Sequence, residues 1–110
     1  MAYDETLAQR VRDCLSARDG VVEKKMFGGL CYMVTGHMCC GIINDRLMAR
    51  VGPDRYEAAL AQDHVLPMDF TGRPMKGMVY VESPAIDTQE TLAQWIGTCL
   101  EFIHSLPPKK

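Results

Sequence analysis

Apolar positions recur at helical spacing at the start of the chain. Leu7, Val11, Cys14 and Leu15 form one stripe, and Arg10, Arg12 and Asp13 lie off it. This predicts an amphipathic helix from about Asp4 to Arg18, with Asp4 capping its first amides and Gly20 following its end. The period then drops to two. Val21 to Met26 reads as a short strand, and Phe27-Gly28-Gly29 reads as a turn or bulge. Leu30–Val34, Met38–Ile43 and Leu47–Val51 read as three strands joined by tight turns at Thr35-Gly36-His37 and Asn44-Asp45. That is an antiparallel meander.

Gly52-Pro53 predicts a helix start, with Gly52 at the cap and Pro53 in the first helical position. Tyr56, Ala59 and Leu60 would face the sheet, and the helix would end near Gln62. The segment from His64 to Lys76 contains two prolines and Gly72 and reads as an ordered loop, and Met78–Glu82 reads as a final strand. Asp87 with Glu90 three residues later predicts a capping box. The helix behind it would run to about Ser105, with Leu92, Trp95, Ile96, Cys99, Phe102 and Ile103 on its apolar face. Two amphipathic terminal helices need a sheet face to cover. The expected fold is therefore α+β, a two-layer antiparallel sheet covered by the N- and C-terminal helices. One domain over 1–106 and a short tail at 107–110 accommodate the whole chain.

Composition narrows the function. The chain has 110 residues, 24% of them charged, and a net charge of −2. The sequence pI of 5.9 argues against a protein living mainly on nucleic-acid phosphates, though not against a local basic patch. Five cysteines are an odd number. Asp4, Glu5, Arg10, Arg12 and Asp13 leave no apolar signal core near the start, and no apolar run is long enough to span a membrane. The expectation is a cytoplasmic protein with reduced thiols.

Three segments carry a family resemblance. They are Lys24-Lys25-Met26-Phe27-Gly28-Gly29, Leu47-Met48-Ala49-Arg50-Val51-Gly52-Pro53-Asp54-Arg55-Tyr56, and Pro67-Met68-Asp69-Phe70-Thr71-Gly72-Arg73-Pro74-Met75-Lys76-Gly77. In order and spacing they resemble the N-terminal domain of the TfoX competence-regulator family. The resemblance implies an α+β fold with an antiparallel sheet and a regulatory role in bacterial competence. Longer members carry a second, helical C-terminal domain, so the expectation here is a stand-alone N-terminal domain. No catalytic residue is implied.

The matched segments hold the candidate surface. Lys24, Lys25, Arg50, Arg55, Arg73 and Lys76 would supply charge, and Phe27 and Phe70 apolar anchors. If they converge, the patch would bind a macromolecule, expected to be another protein, with direct DNA binding as the alternative. The competing reading is solvated charge paired with Glu23, Asp45, Asp54, Glu57 and Asp69. Cys31, His37, Cys39 and Cys40 have zinc-ligand chemistry, but there is no C-x-x-C spacing. In a regular strand Cys39 and Cys40 point to opposite faces. A nucleophilic Cys39 or Cys40 with His37 or His64 is a minor alternative, and Cys14 and Cys99 read as core residues. The eight methionines suit core filling or, if exposed, an adaptable interface. No enzyme activity, cofactor or metal is expected, and the expected state is a monomer or weak homodimer, its sheet edges open to pairing.

Overall fold

Hydrophobic alternation in the middle of the chain builds the sheet, and a computed structural model describes residues 3–16, 18, 20–26, 28–69 and 74–106. The strands are β1 (Val21–Met26), β2 (Gly29–Val34), β3 (His37–Ile43), β4 (Arg46–Arg50), β5 (Val65–Asp69) and β6 (Pro74–Val81). They form one sheet in the order β1-β2-β3-β4-β6-β5. Every pairing is antiparallel. The helices are α1 (Glu5–Leu15), α2 (Tyr56–Leu60) and α3 (Gln89–His104), with a 3-10 turn at Ser83–Ala85.

One sheet face carries the main core. Leu30, Tyr32 and Val34 of β2, Ile42 of β3, Leu47 and Ala49 of β4, and Val79 and Val81 of β6 pack against the helices. Leu7, Ala8, Val11 and Leu15 come from α1, and Leu92, Trp95, Ile96, Cys99, Leu100 and Ile103 from α3. The buried Tyr32 hydroxyl donates to Ala8 O at 3.0 Å and so ties sheet to helix. Cys31, Met48, Met68, Met78 and Tyr80 form a smaller cluster that strand alternation places on the opposite face. Met48 and Met68 are wholly buried there, so these methionines fill space inside the protein.

Several local expectations change. Asp4 caps α1 as read, accepting from the amides of Thr6 at 2.8 Å and Leu7 at 3.1 Å. The helix stops at Leu15, with its last apolar contact, instead of at Arg18. The segment read as a loop from His64 onward contains β5 and the start of β6. Pro67 is tolerated because β5 is an edge strand, and Pro74 because it opens β6. Gly52 is not a helix cap, because α2 begins at Tyr56 with Arg55 before it. The capping box of α3 is Thr88 with Thr91, one residue beyond Asp87 and Glu90. The later start accompanies burial of Ile86.

Candidate functional site

The second and third matched segments meet at the end of β4. The amides of Val51 and Gly52 both donate to Gly77 O, at 2.8 and 3.1 Å. These two hydrogen bonds clamp the β4 exit to β6. Gly52 has φ +87°, and a Cβ there would lie 2.8 Å from Phe102 Cε1 and 2.9 Å from Cγ. Gly77 has φ +93°, and a Cβ there would press on the Gly52–Pro53 peptide at 3.2 to 3.4 Å. Both positions therefore require glycine, on conformational and steric grounds. The sharp turn leaves a recess of about 210 Å³ lined by Val51, Gly52, Pro53, Asp54, Arg55, Glu101, Phe102 and Ser105.

Arg50 lies against this recess. Its guanidinium donates to Met38 O at 3.3 Å and sits 5.2 Å from the Phe102 ring centroid. Arg55 pairs with Glu101 at 2.7 Å on the rim. Glu101 and Phe102 were not singled out together by sequence, because their meeting with Gly52 depends on how α3 docks.

Lys24 and Lys25 do not join them. Lys24 and Lys25 are exposed on β1, three strands away from β4, a separation of about 14 Å at ordinary strand spacing. Lys25 pairs with Leu30 on the helix-facing side and Lys24 with Cys31 on the other, so the two lysines point to opposite faces. The expectation of a single basic patch that includes both therefore fails on strand alternation. Lys76 is placed by its backbone in β6. Phe27, Phe70 and Arg73 lie outside the described residues. Glu23 is engaged by Arg12, whose Nε and Nη2 donate to the two carboxylate oxygens at 2.7 and 2.9 Å. That bidentate contact holds the Glu23 carboxyl below the usual carboxylate range.

A larger groove of about 620 Å³ lies elsewhere, between the α1 start and the α3 start. Asp4, Asp45 and Asp87 line it with Arg10. Arg10 is committed, donating to Ile86 O at 2.6 Å and to Gln89 Oε1 at 3.2 Å.

The cysteines depart most from the regular-strand reading. Tyr32 pairs with Cys40 but Met33 with Met38, so Cys39 is an extra residue in β3. This bulge turns Cys39 and Cys40 to the same side, and both are wholly buried in the main core with Cys99. Hydrogen bonding with the Cys40 and Cys99 thiols lowers the Cys39 pKa against the effect of burial, and the charge of Arg18 acts in the same direction. Cys40 and Cys99 are pushed up as the donors of those bonds and by burial. The bulge had one sequence signal. Facing Leu30 with Ile42, as the core requires, leaves one residue over when counted from the Thr35-Gly36 turn. Cys14 is half-buried, with Gln89 Nε2 donating to its sulfur at 3.2 Å. His37 opens β3 and His64 is exposed. Among the described residues no group of three or more His, Cys, Asp or Glu is arranged to hold a metal ion. Among them, too, no helix is long and apolar enough to cross a membrane.

No curated protein and no solved structure matches the chain. The sequence profile of the TfoX N-terminal domain matches residues 13–103. That span runs from α1 into α3 and takes in the whole sheet, the Gly52–Gly77 clamp and the bulge, and the chain belongs to the TfoX N-terminal domain family.

Proposed function

We propose that this domain is a non-enzymatic regulatory module that binds another protein through the recess at Gly52, Pro53, Arg55 and Phe102. Membership of the TfoX N-terminal domain family supports a regulatory role connected with competence. The anatomy of the recess carries the protein-binding reading. A half-buried aromatic ring and a proline are rimmed by Asp54, Arg55 and Glu101, charges of both signs. An apolar centre with a polar rim is the usual anatomy of a protein interface. Duplex DNA needs a continuous positive stripe to replace its counterions. Here Lys24 and Lys25 diverge, Arg55 is paired with a carboxylate, and the groove between the α1 and α3 starts is lined by Asp4, Asp45 and Asp87.

Site-specific photo-crosslinking in the producing cell tests this. A photoreactive residue at Asp54 or Ser105, beside Phe102, is expected to trap one discrete protein. The same group at Glu90, at the far end of α3, is expected to trap none. Recovery of nucleic acid, or equal crosslinking from all three positions, would refute the proposal.

A further inference from the structure

We propose that the partner of this domain is held by a carboxylate, an Asp or Glu side chain seated on Arg50, with an apolar neighbour lodged against Pro53 and Phe102. This rests on the protein-binding reading of the recess and names the chemistry the recess selects. Beside the recess lies a second hollow of about 170 Å³, lined by Arg50, Gly52, Pro53, Gly77 and Phe102. Gly52, Pro53 and Phe102 line both, so the two hollows share a wall. The larger one holds charges of both signs, and its Arg55 is already engaged by Glu101 at 2.7 Å. The described lining of the smaller one holds a single charge, the Arg50 guanidinium, and no carboxylate. With no side chain on Gly52 or Gly77, a ligand can approach the backbone there closely.

Arg50 is positioned but not satisfied. Its Nη1 donates to Met38 O at 3.3 Å, and its guanidinium stands 5.2 Å from the Phe102 ring centroid. The ion pairs among the described residues, Arg12–Glu23 and Arg55–Glu101, both leave it out. The rest of its N–H groups therefore have no acceptor among those residues. The contacts to Met38 and Phe102 fix the side chain in advance, so binding costs little of its freedom. A guanidinium offers parallel N–H groups that match the two oxygens of a carboxylate. Phosphate recognition instead gathers clusters of arginines. Here the neighbouring Arg55 is taken by Glu101, and Asp54 and Glu101 stand in the adjoining recess, where they repel a dianion more than a monoanion. The shared wall of Pro53 and Phe102 then offers apolar contact to the residue beside the carboxylate.

Amide NMR titration of the wild-type protein with acetyl-aspartyl-leucinamide, its asparaginyl analogue and its phosphoseryl analogue tests the proposal. The aspartyl probe should shift the amides of Val51, Gly52, Gly77 and Phe102 and bind about tenfold more tightly than the asparaginyl one. Arg50→Gln should erase that preference. Equal binding of the two probes, shifts confined to other amides, or no shifts at millimolar probe would overturn the proposal. Tighter binding of the phosphoseryl probe would overturn it in favour of a phosphopeptide. The wild-type comparison decides this even if the variant fails to fold. Photo-crosslinking from Ser105 separates the proposal from the reading beneath it. Arg50→Gln should cut the crosslinked yield by about tenfold. A wild-type crosslink left undiminished by Arg50→Gln would overturn the carboxylate and leave protein recognition standing. No discrete crosslink from the wild type would remove protein recognition and this proposal together.

Discussion

Replacing Gly52 with alanine tests the clamp that shapes the recess. Two costs add. At φ +87° an L-residue is strained by about 1–2 kcal/mol. The new methyl also meets the Phe102 ring at 2.8 to 2.9 Å, too close for a real contact. Moving that ring disturbs its packing and its contact with Arg50, an overpacking cost of about 1–3 kcal/mol. The sum is about 2–5 kcal/mol, a large share of the roughly 5–15 kcal/mol that holds a small domain together. Thermal unfolding should therefore fall by roughly 10 °C or more. The two terms separate in a double-mutant cycle. With Phe102→Ala already present the clash is gone, and Gly52→Ala should cost only the backbone term of about 1–2 kcal/mol. Urea unfolding of the four proteins measures this. An equal cost in both backgrounds, or a cost below about 0.5 kcal/mol in the wild type, would refute the steric argument.

Tyr32→Phe removes the 3.0 Å hydrogen bond to Ala8 O, which keeps its helical amide donor, and should cost about 0.5–1.5 kcal/mol by urea unfolding. Burial raises the Tyr32 phenol above its ordinary range, so its contribution is full below about pH 10 and is lost as pH rises above that. Tyrosinate absorbance should show one of the four tyrosines titrating only with unfolding. Thr88→Ala should cost about 1 kcal/mol through loss of the cap, while Asp87→Ala stays within about 0.5 kcal/mol, and equal effects in chemical denaturation would contradict the observed capping box. Arg12→Ala removes a surface pair and should cost less than about 1 kcal/mol at neutral pH. The Glu23 carboxyl is lowered by Arg12, so that difference should disappear in pH-dependent melts as pH falls through the carboxylate range.

The frame of the fold was legible in local pattern. The α1 stripe, the β2–β3–β4 alternation and the α3 face each repeat at a single period, so the α+β class follows from residues such as Leu7, Tyr32 and Trp95. What failed depended on position within the sheet. Pro67 argues against a strand unless the strand is known to be an edge, and sequence does not order the strands. The candidate site divided in the same way. Arg50 to Arg55 and Gly77 converge because strands β4 and β6 are neighbours although 23 or more residues of chain intervene between them. Lys24 and Lys25 are adjacent in sequence and so lie on opposite faces of one strand. The Cys39 bulge inverted the alternation argument that had separated Cys39 from Cys40.

Protein recognition, as against DNA binding, is tested most directly by titrating duplex DNA into the labelled protein and reading fluorescence anisotropy at several salt concentrations. The dispersed basic residues predict no saturable binding even at low salt. Saturable binding with a log–log salt slope of about −3.5, the signature of roughly four phosphate contacts, would contradict the account. The contradiction would be complete if that binding were lost in a Lys24→Ala, Lys25→Ala, Arg50→Ala variant.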